Sequence, residues 1–263
     1  FDDLRQEAFA MQLIRELDAV WRACKVPVTV TAYNIMSTSA SAGLIQGLPQ
    51  ALSIDAIKKR CVQEGLGSLR DYFIVKYGDA SSAAFKNAQR AFVRSLAGYS
   101  MVQYLLQLKD RHNGNILLHD HGHLIHIDFG FLLGMSPGNL SFESAAFKLT
   151  DEYVALLDGV GSEMWCQFVG AMQKAYLAIR KHHHRLTTLV EMAYFANTMP
   201  FCQRDTGSSA YYIVAGLLKR LDLEASDAQC RAKVDKMASS CAKSWSTAQY
   251  DAYQKLVNNV QPY

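Results

Sequence analysis

Apolar residues recur along the chain mostly at helical spacing. In the first segment, Ala10, Ile14, Leu17 and Trp21 follow one another at three- and four-residue steps, which predicts an amphipathic helix over residues 3–24. The same kind of spacing predicts further helices near residues 53–61, 68–77, 81–108, 151–158, 162–181, 185–197, 208–220, 227–242 and 246–258. Residues 46–49 contain a Gly and a Pro and are predicted to form a linker.

A few short segments have the composition of strands instead. Val26, Val28 and Val30 alternate and lead into residues 33–36, so one strand is predicted there, and residues 43–46 predict another. Residues 116–118 and 124–127 are apolar and flank a polar turn at 119–122, which predicts a β-hairpin.

The open end of this hairpin carries candidate chemistry. Asn115 precedes its first strand, and Asp128 follows its second, so the two side chains should lie side by side. Asp128 begins an Asp-Phe-Gly, and kinases hold magnesium with such an Asp and a catalytic-loop Asn. Magnesium needs only one or two protein ligands, because water and phosphate complete its octahedron. The pattern predicts a metal–nucleotide site, with ATP as co-substrate and Mg²⁺, or alternatively Mn²⁺, as the metal.

The order of residues in the catalytic loop indicates which class of kinase the chain resembles. In protein kinases this loop contains His-Arg-Asp, whereas residues 110–112 of this chain are Asp-Arg-His. The spacing from the Asp to the Asn, here Asp110 and Asn115, is the same in both. The loop resembles that of the phosphatidylinositol 3- and 4-kinase family. Residues 2–7 and 43–46 also resemble segments of that family, and residues 142–150 resemble the activation segment of its type III 4-kinases. The matched segments run from residue 2 to about residue 160.

The resemblance implies a fold and an activity. The implied fold class is α+β, a bilobal kinase-like catalytic domain with a truncated small lobe (1–47) and a mostly helical large lobe (48–263). The large lobe would carry a catalytic loop at 107–115 and an activation loop at 126–150. The implied reaction transfers the γ-phosphate of ATP to the 4-hydroxyl of phosphatidylinositol, giving phosphatidylinositol 4-phosphate.

The resemblance also implies roles for individual residues. Asp110 and His112 would be catalytic, and His112 is favoured as the group that takes the hydroxyl proton, since imidazole titrates near neutral pH. Asp110 would share or support that role. The positions that line the family's nucleotide pocket are Asp2, Glu7, Tyr33, Leu48, Leu117 and Ile127. Asp2 and Glu7 are equally well interpreted as first-turn helix charges, and Leu117 and Ile127 as hairpin core.

The activation segment bears on the substrate. Residues 129–147 contain one charged residue, Glu143, and no Lys, Arg or His. Recognition of ring phosphates needs cationic donors, so this loop favours an inositol ring that is still unphosphorylated. Lys148 is the cation expected to meet the diester phosphate, and the apolar residues 131–133 and 135 are expected to enter the headgroup boundary.

The family's glycine-rich loop and its ATP-contacting Lys lie upstream of the motif at residues 2–7, and residues 1–50 contain no substitute for them. We therefore expect this chain to be the C-terminal part of a longer kinase and a poor kinase alone. A non-catalytic kinase-like module remains the alternative. A hydrolase elbow at residues 134–138 is rejected, because Pro137 lacks the N–H that such an elbow needs as an oxyanion donor.

Composition adds limits on partners and location. The net charge of +3 gives no electrostatic reason to expect nucleic acid as a partner. Six separated cysteines without a Cys-x-x-Cys pair predict free, buried thiols in a reducing compartment. No apolar run approaches the ~18 residues of a membrane span. A lipid substrate then implies that the protein binds membranes peripherally, and the amphipathic segment at 245–260 is a candidate for the membrane contact. The family resemblance implies Golgi or related membranes. Recruiting proteins are also expected.

The histidines at 119, 121 and 123 alternate as zinc ligands on a strand would, but they fall in the predicted turn without a supporting Cys. An exposed turn is the favoured interpretation. The run at residues 182–184 is likewise interpreted as a solvated helix end.

Overall fold

The structure is a computed structural model that describes residues 3–39, 42–135, 145–196, 199–202 and 210–243. Predictions that concern Asp2, residues 136–144 of the activation loop and the segment 245–260 lie outside these residues. The described helices are α1 Leu4–Ala23, α2 Ile54–Glu64, α3 Leu69–Tyr77, α4 Ala83–Leu106, α5 Asp151–Leu156, α6 Glu163–Lys181, α7 His183–Ala196, α8 Ala210–Leu221 and α9 Asp227–Cys241. The described strands are β1 Ile35–Ser37, β2 Gly43–Ile45, β3 Ala51–Ser53, β4 Ile116–His119 and β5 Leu124–His126.

The first predicted helix is confirmed as α1. Asp3 caps it, since its carboxylate accepts a hydrogen bond from the backbone N–H of Arg5 at 2.9 Å. The predicted apolar stripe faces inward, and Ala10 and Ile14 are completely buried. Near the other end, the indole N–H of Trp21 donates to the carbonyl of Ala175 in α6 at 3.0 Å. This bond ties α1 to the centre of the helical part of the molecule.

The strand predicted through Val26–Val30 is wrong, and only Ile35–Ser37 forms a strand there. The alternation reflects an irregular segment that packs on helix α4, with Val26, Val28 and Val30 more buried than the residues between them. The backbone N–H of Thr29 donates to the carbonyl of Arg94 at 3.2 Å, and the Tyr99 hydroxyl donates to the carbonyl of Thr31 at 3.0 Å. Gly98 permits this approach, because a Cβ there would lie 2.8 Å from the Thr29 carbonyl oxygen.

The sheets are small and antiparallel. β1 pairs with β2, and a second sheet has the order β3-β4-β5. The predicted hairpin is confirmed as β4 and β5, with Leu118 opposite Leu124. Strand β3 was not predicted, because its three residues run directly into α2 and are too few to show a period. At the hairpin turn, Gly122 packs on α4, where an added Cβ would lie 2.6 Å from the carbonyl oxygen of Ala88.

Most of the core lies between helices, with α4 packed along α6. Ser residues cap the starts of these helices, and at α9 Ser226 and Gln229 form a reciprocal capping box. The six cysteines are free as predicted, but Cys24 and Cys166 are exposed while the other four are buried. Among the described residues, no helix is both long enough and apolar enough to cross a membrane.

Candidate active site

The hairpin brings together the two residues predicted to hold a metal. Asn115 ends a 3-10 turn (Asn113–Asn115) that leads into β4, and Asp128 follows β5. The amide nitrogen of Asn115 lies 3.2 Å from a carboxylate oxygen of Asp128, so the predicted proximity is confirmed. The backbone also joins the two segments, because the N–H of Ile127 donates to the carbonyl of Asn115 at 3.1 Å.

The pair has the donor chemistry that Mg²⁺ requires. The half-buried carboxylate of Asp128 and the buried amide of Asn115 are in contact and can supply two oxygen ligands, which leaves the remaining positions to water and phosphate. Within the described ranges, no cluster of three or more His, Cys, Asp or Glu side chains is arranged to hold a metal. The residues therefore fit a magnesium site with two protein ligands.

The two aspartates of the candidate site, Asp110 and Asp128, have a strained backbone conformation. Asp110 and Asp128 each have φ of 62°, in the left-handed region that side chains with a Cβ rarely adopt. Such strain persists only where the surrounding contacts impose it, and it is concentrated at functional sites. The carbonyl of Asp110 accepts a hydrogen bond from the amide of Asn115 at 3.1 Å, so the two positions are mechanically linked.

Arg111 imposes much of this geometry, and sequence reasoning assigned it no role of its own. Its side chain is 1% exposed, and its guanidinium lies 5.5 Å from the centre of the Phe129 ring. It donates to the carbonyls of Lys109 at 2.9 Å and Ile127 at 2.7 Å, and also to the carbonyl of Asp128. One buried cation thus fixes the catalytic loop against the Asp-Phe-Gly.

Helix α1 holds the same segment from the other side. Gln6 and Glu7 are buried, and the carboxylate of Glu7 accepts a hydrogen bond from the backbone N–H of Phe129. The amide of Gln6 donates to the carbonyl of Gly130 at 2.7 Å and accepts from the N–H of Phe201 at 3.0 Å. Glu7 was predicted to line the nucleotide pocket or to be a helix-end charge, and the structure places it under the Asp-Phe-Gly backbone.

Gln6 was not predicted, although the sequence contains a signal for it. Residues four apart on a helix share a face, and Gln6 lies four positions before the buried Ala10. A polar residue that extends a buried apolar stripe must be hydrogen-bonded inside the protein. The partners themselves, more than 120 positions away, cannot be read from that pattern.

Tyr33 lies in the same buried region. Burial raises the pKa of its phenol, and the nearby carboxylates of Glu7 and Asp128 add to the rise. The phenol therefore stays protonated, and its O–H remains a donor. Its backbone carbonyl accepts from Arg15 at 2.7 Å, which joins the segment to α1. Its predicted contact with the nucleotide stays a prediction.

His112 is half-buried, and its ring is oriented by a backbone hydrogen bond. Its Nδ1 accepts a hydrogen bond from the backbone N–H of Gly114 at 3.0 Å, so the neutral ring carries its proton on Nε2. Burial lowers the pKa of His112 below its usual value, and Arg111 and Lys148 lower it further, against the opposing effect of Asp110. Gly114 leaves room for the ring, because an added Cβ would lie 2.9 Å from its Cε1.

Lys148 is buried next to the catalytic loop. It is 6% exposed, and its ammonium donates to the side-chain oxygen of Asn113 at 2.9 Å. Its backbone N–H donates to the side chain of Gln103 in α4 at 3.0 Å. The ammonium of Lys148 therefore supports the catalytic loop through Asn113, and its predicted contact with the diester phosphate stays a prediction.

The predicted apolar lining is half-buried. Leu48, Leu117 and Ile127 are each partly exposed, and Leu48 and Ile127 pack against the core. Leu117 alternates with the buried Ile116 and Leu118, so it points to the opposite face of the hairpin. This placement suits an apolar floor beside Asn115 and Asp128, and the contact with adenine stays a prediction.

Comparisons with known proteins agree with this geometry. A profile of the family described as "Phosphatidylinositol 3- and 4-kinase" matches residues 1–203. Phosphatidylinositol 4-kinase beta of Xenopus tropicalis is 41% identical over 98% of this chain and 31% of its own length. The Rattus norvegicus protein of the same name is 40% identical over 98% of the chain and 30% of its own length. Phosphatidylinositol 4-kinase beta 1 of Arabidopsis thaliana is 42% identical over 98% of this chain and 23% of its own length. The chain thus spans less than a third of the length of these curated relatives.

Proposed function

The chain belongs to the phosphatidylinositol 3- and 4-kinase family, and we propose from this membership that it forms part of a lipid kinase catalytic domain. The proposed reaction transfers the γ-phosphate of ATP to the 4-hydroxyl of phosphatidylinositol. The observation that carries the proposal is the contact between Asn115 and Asp128 at 3.2 Å, at the meeting point of the catalytic loop and the Asp-Phe-Gly. The choice of position 4 follows the names of the relatives, which are phosphatidylinositol 4-kinases.

Asn115 and Asp128 would hold Mg²⁺ together with the ATP phosphates. When bound, the metal would neutralise charge on the phosphates as they transfer. The chain's own residues contribute position and electrostatics: Arg111 holds the Asp-Phe-Gly backbone, and Asp128 keeps its carboxylate toward Asn115. Phosphoryl transfer depends mostly on such positioning.

The protonation state of His112 suggests a division of roles that the sequence left open. A neutral imidazole with Nδ1 already accepting from Gly114 has its remaining N–H on Nε2, so this nitrogen can donate a hydrogen bond but cannot accept a proton. We assign the transfer of the lipid hydroxyl proton to the carboxylate of Asp110, and a hydrogen bond to the phosphate oxygens to His112. This reverses the preference for His112 as the base.

We further propose that residues 1–47 belong to the small lobe and residues 48–263 to the large lobe. The absence of Lys, Arg and His from residues 129–147 supports unphosphorylated phosphatidylinositol as the substrate, because phosphates on the ring would require cationic partners. A membrane lipid as substrate implies peripheral binding to membranes. Golgi or related membranes and recruiting proteins are part of the same proposal, and they rest on the family alone.

The deciding experiment measures phosphate transfer from ATP to phosphatidylinositol vesicles by the full-length protein and separates the monophosphate isomers. Asp128→Asn should lower kcat by about a thousandfold or more, since the metal loses its charged ligand. Asp120→Asn, the same change in the exposed turn of the same hairpin, should leave kcat within about twofold. Full activity of Asp128→Asn at low magnesium would contradict the metal assignment. A wild-type protein that binds ATP without making phosphatidylinositol 4-phosphate would favour the non-catalytic alternative.

A further inference from the structure

A second concave site lies at the other end of α1. A cavity of about 540 Å³ opens between the end of α1, the second half of α6 and the start of α9. Its volume is within the range of small-molecule sites. Glu7 and Ala23 are sixteen residues apart on α1, which places the cavity roughly 24 Å along the helix from the Asp-Phe-Gly. The cavity is therefore separate from the catalytic cleft.

Cations dominate the lining of this cavity. Lys25, Lys174, Lys181 and Arg231 are all exposed side chains on its wall. Among the residues that the structure describes, none of these four forms an ion pair with a carboxylate. A fifth cation, Arg180, is held in place by backbone carbonyls at the end of α8 and beyond it, including that of Ala225 at 2.6 Å.

The cavity contains little negative charge to offset these cations. Asp227 is the only carboxylate among the residues that line it, and it lies 3.6 Å from Arg180. A neighbouring cavity of about 400 Å³ shares Lys174 and adds Arg90, Arg94 and Glu163. Seven cations and two carboxylates line the two cavities, a formal charge of +5 in a chain whose total is +3. The basic charge of the protein is therefore concentrated here.

The chemistry of the ligand follows from this arrangement. Like charges around a concave surface focus a positive potential and attract anions. Ammonium and guanidinium groups form short, charge-assisted hydrogen bonds with phosphate oxygens. A phosphate monoester carries about −1.5 to −2 charges at pH 7, so two or three phosphates would balance the net +4 of the larger cavity. We propose that this cavity binds a small molecule or headgroup carrying at least two clustered phosphates, at a site distinct from the catalytic centre.

The test uses inorganic tripolyphosphate as the probe, titrated calorimetrically into the full-length protein without magnesium, so that the metal site does not contribute. The cavity variant Lys174→Gln/Lys181→Gln removes two lining charges and keeps helix propensity. The control Lys86→Gln/Lys236→Gln removes two exposed charges from α4 and α9 outside the cavity. All four side chains are exposed, so both variants should fold.

The cavity variant should weaken tripolyphosphate binding by about tenfold or more, and the control by less than about twofold, with the difference shrinking at high salt. A parallel arm measures co-sedimentation with phosphatidylcholine vesicles that contain about 5% bisphosphorylated phosphatidylinositol. Binding that depends on the cavity only in the vesicle measurement would identify the ligand as a lipid headgroup. Binding that depends on the cavity in the tripolyphosphate titration would identify it as a free polyphosphate. Equal weakening by the two variants in both arms, or no binding in either arm, would overturn the proposal.

Discussion

The two ends of α1 use polar side chains in opposite ways. At the N-terminal end, Gln6 and Glu7 are buried, and each is hydrogen-bonded to the backbone of the Asp-Phe-Gly segment. At the C-terminal end, Lys25 is exposed beside Lys174 and Lys181, and no carboxylate pairs with these ammonium groups in the described part of the chain. Buried polar groups must be satisfied inside the protein, so the first end fixes a geometry. Unpaired cations at the second end remain available to a ligand.

The largest expected effect of breaking the fixed end is at Arg111. Arg111→Met removes the donor from the carbonyls of Ile127 and Asp128 and leaves them buried. Losing such a buried charged partner costs about 3 kcal/mol of unfolding free energy, and kcat/KM should fall by about a hundredfold or more. Denaturant unfolding and lipid kinase assays measure the two quantities.

Arg60→Met provides the matched comparison, because Arg60 pairs with Glu64 on an exposed face of α2. Such surface pairs contribute only about 0–1 kcal/mol, and kcat/KM should be unchanged. If Arg111→Met were as mild as Arg60→Met, the role of Arg111 in holding the loop would be wrong.

Substitution of His112 should give the next largest loss of activity and show whether its side chain acts as a donor or as the base. His112→Ala should lower kcat by about a hundredfold, since a donor to the transferring phosphate is lost. His112→Gln keeps an N–H donor and should be several times more active than the alanine variant. A group acting as the base would make both substitutions equally damaging, which would restore the original preference for His112 as proton acceptor.

The pH dependence provides a second readout for His112. Its pKa is lowered in the folded protein, mainly by burial, so the neutral form of the ring predominates at pH 6.5 and above. The unfolded chain binds a proton near pH 6.5, so this histidine's contribution to stability is present above that pH and is lost as the pH falls below it. The acid limb of kcat/KM should therefore lie below pH 6.5. NMR titration of the His112 ring would show the same shift, and a pKa at or above 6.5 would contradict it.

Substitution of Glu7 should lower activity less, and it distinguishes a role in holding the Phe129 backbone from a direct contact with the nucleotide. Glu7→Leu removes the acceptor from the Phe129 N–H and should lower kcat about tenfold to thirtyfold, with KM for ATP little changed. Glu7→Gln retains an acceptor and should stay within about threefold of wild type. If Glu7 touches the nucleotide instead, as the family resemblance suggested, both variants should raise KM for ATP by similar factors.

The sequence predicted those parts of the site that depend on local order. Asn115 and Asp128 meet because a short hairpin joins them, and both the apolar strands and the polar turn are visible as patterns. Gln6 and Arg111 were missed as supports, because their partners are backbone atoms in distant or irregular segments. The Val26–Val30 alternation misled because an irregular segment that packs on a helix can bury every second residue, as a strand does, without pairing in a sheet.

The smallest expected effect is a gain in stability at the cavity end. Lys174 borders both basic cavities and has Lys25 and Lys181 as cationic neighbours on the lining. Like charges near one another destabilise the folded state, so Lys174→Gln should raise the unfolding free energy by about 0.3 kcal/mol at low salt. Lys and Gln have similar helix propensities, so the substitution tests charge alone.

Salt distinguishes this effect from a change in packing. The Debye length falls from about 30 Å at 0.01 M to about 3 Å at 1 M, so repulsion among the cavity cations should disappear at high salt. Lys236→Gln on α9 serves as the control, because Lys236 is exposed and does not line either cavity. Denaturant unfolding of both variants at the two salt concentrations gives the comparison. A Lys174→Gln protein that is less stable than wild type at low salt would mean that these cations are already neutralised in solution, and the contrast between the two ends of α1 would fail.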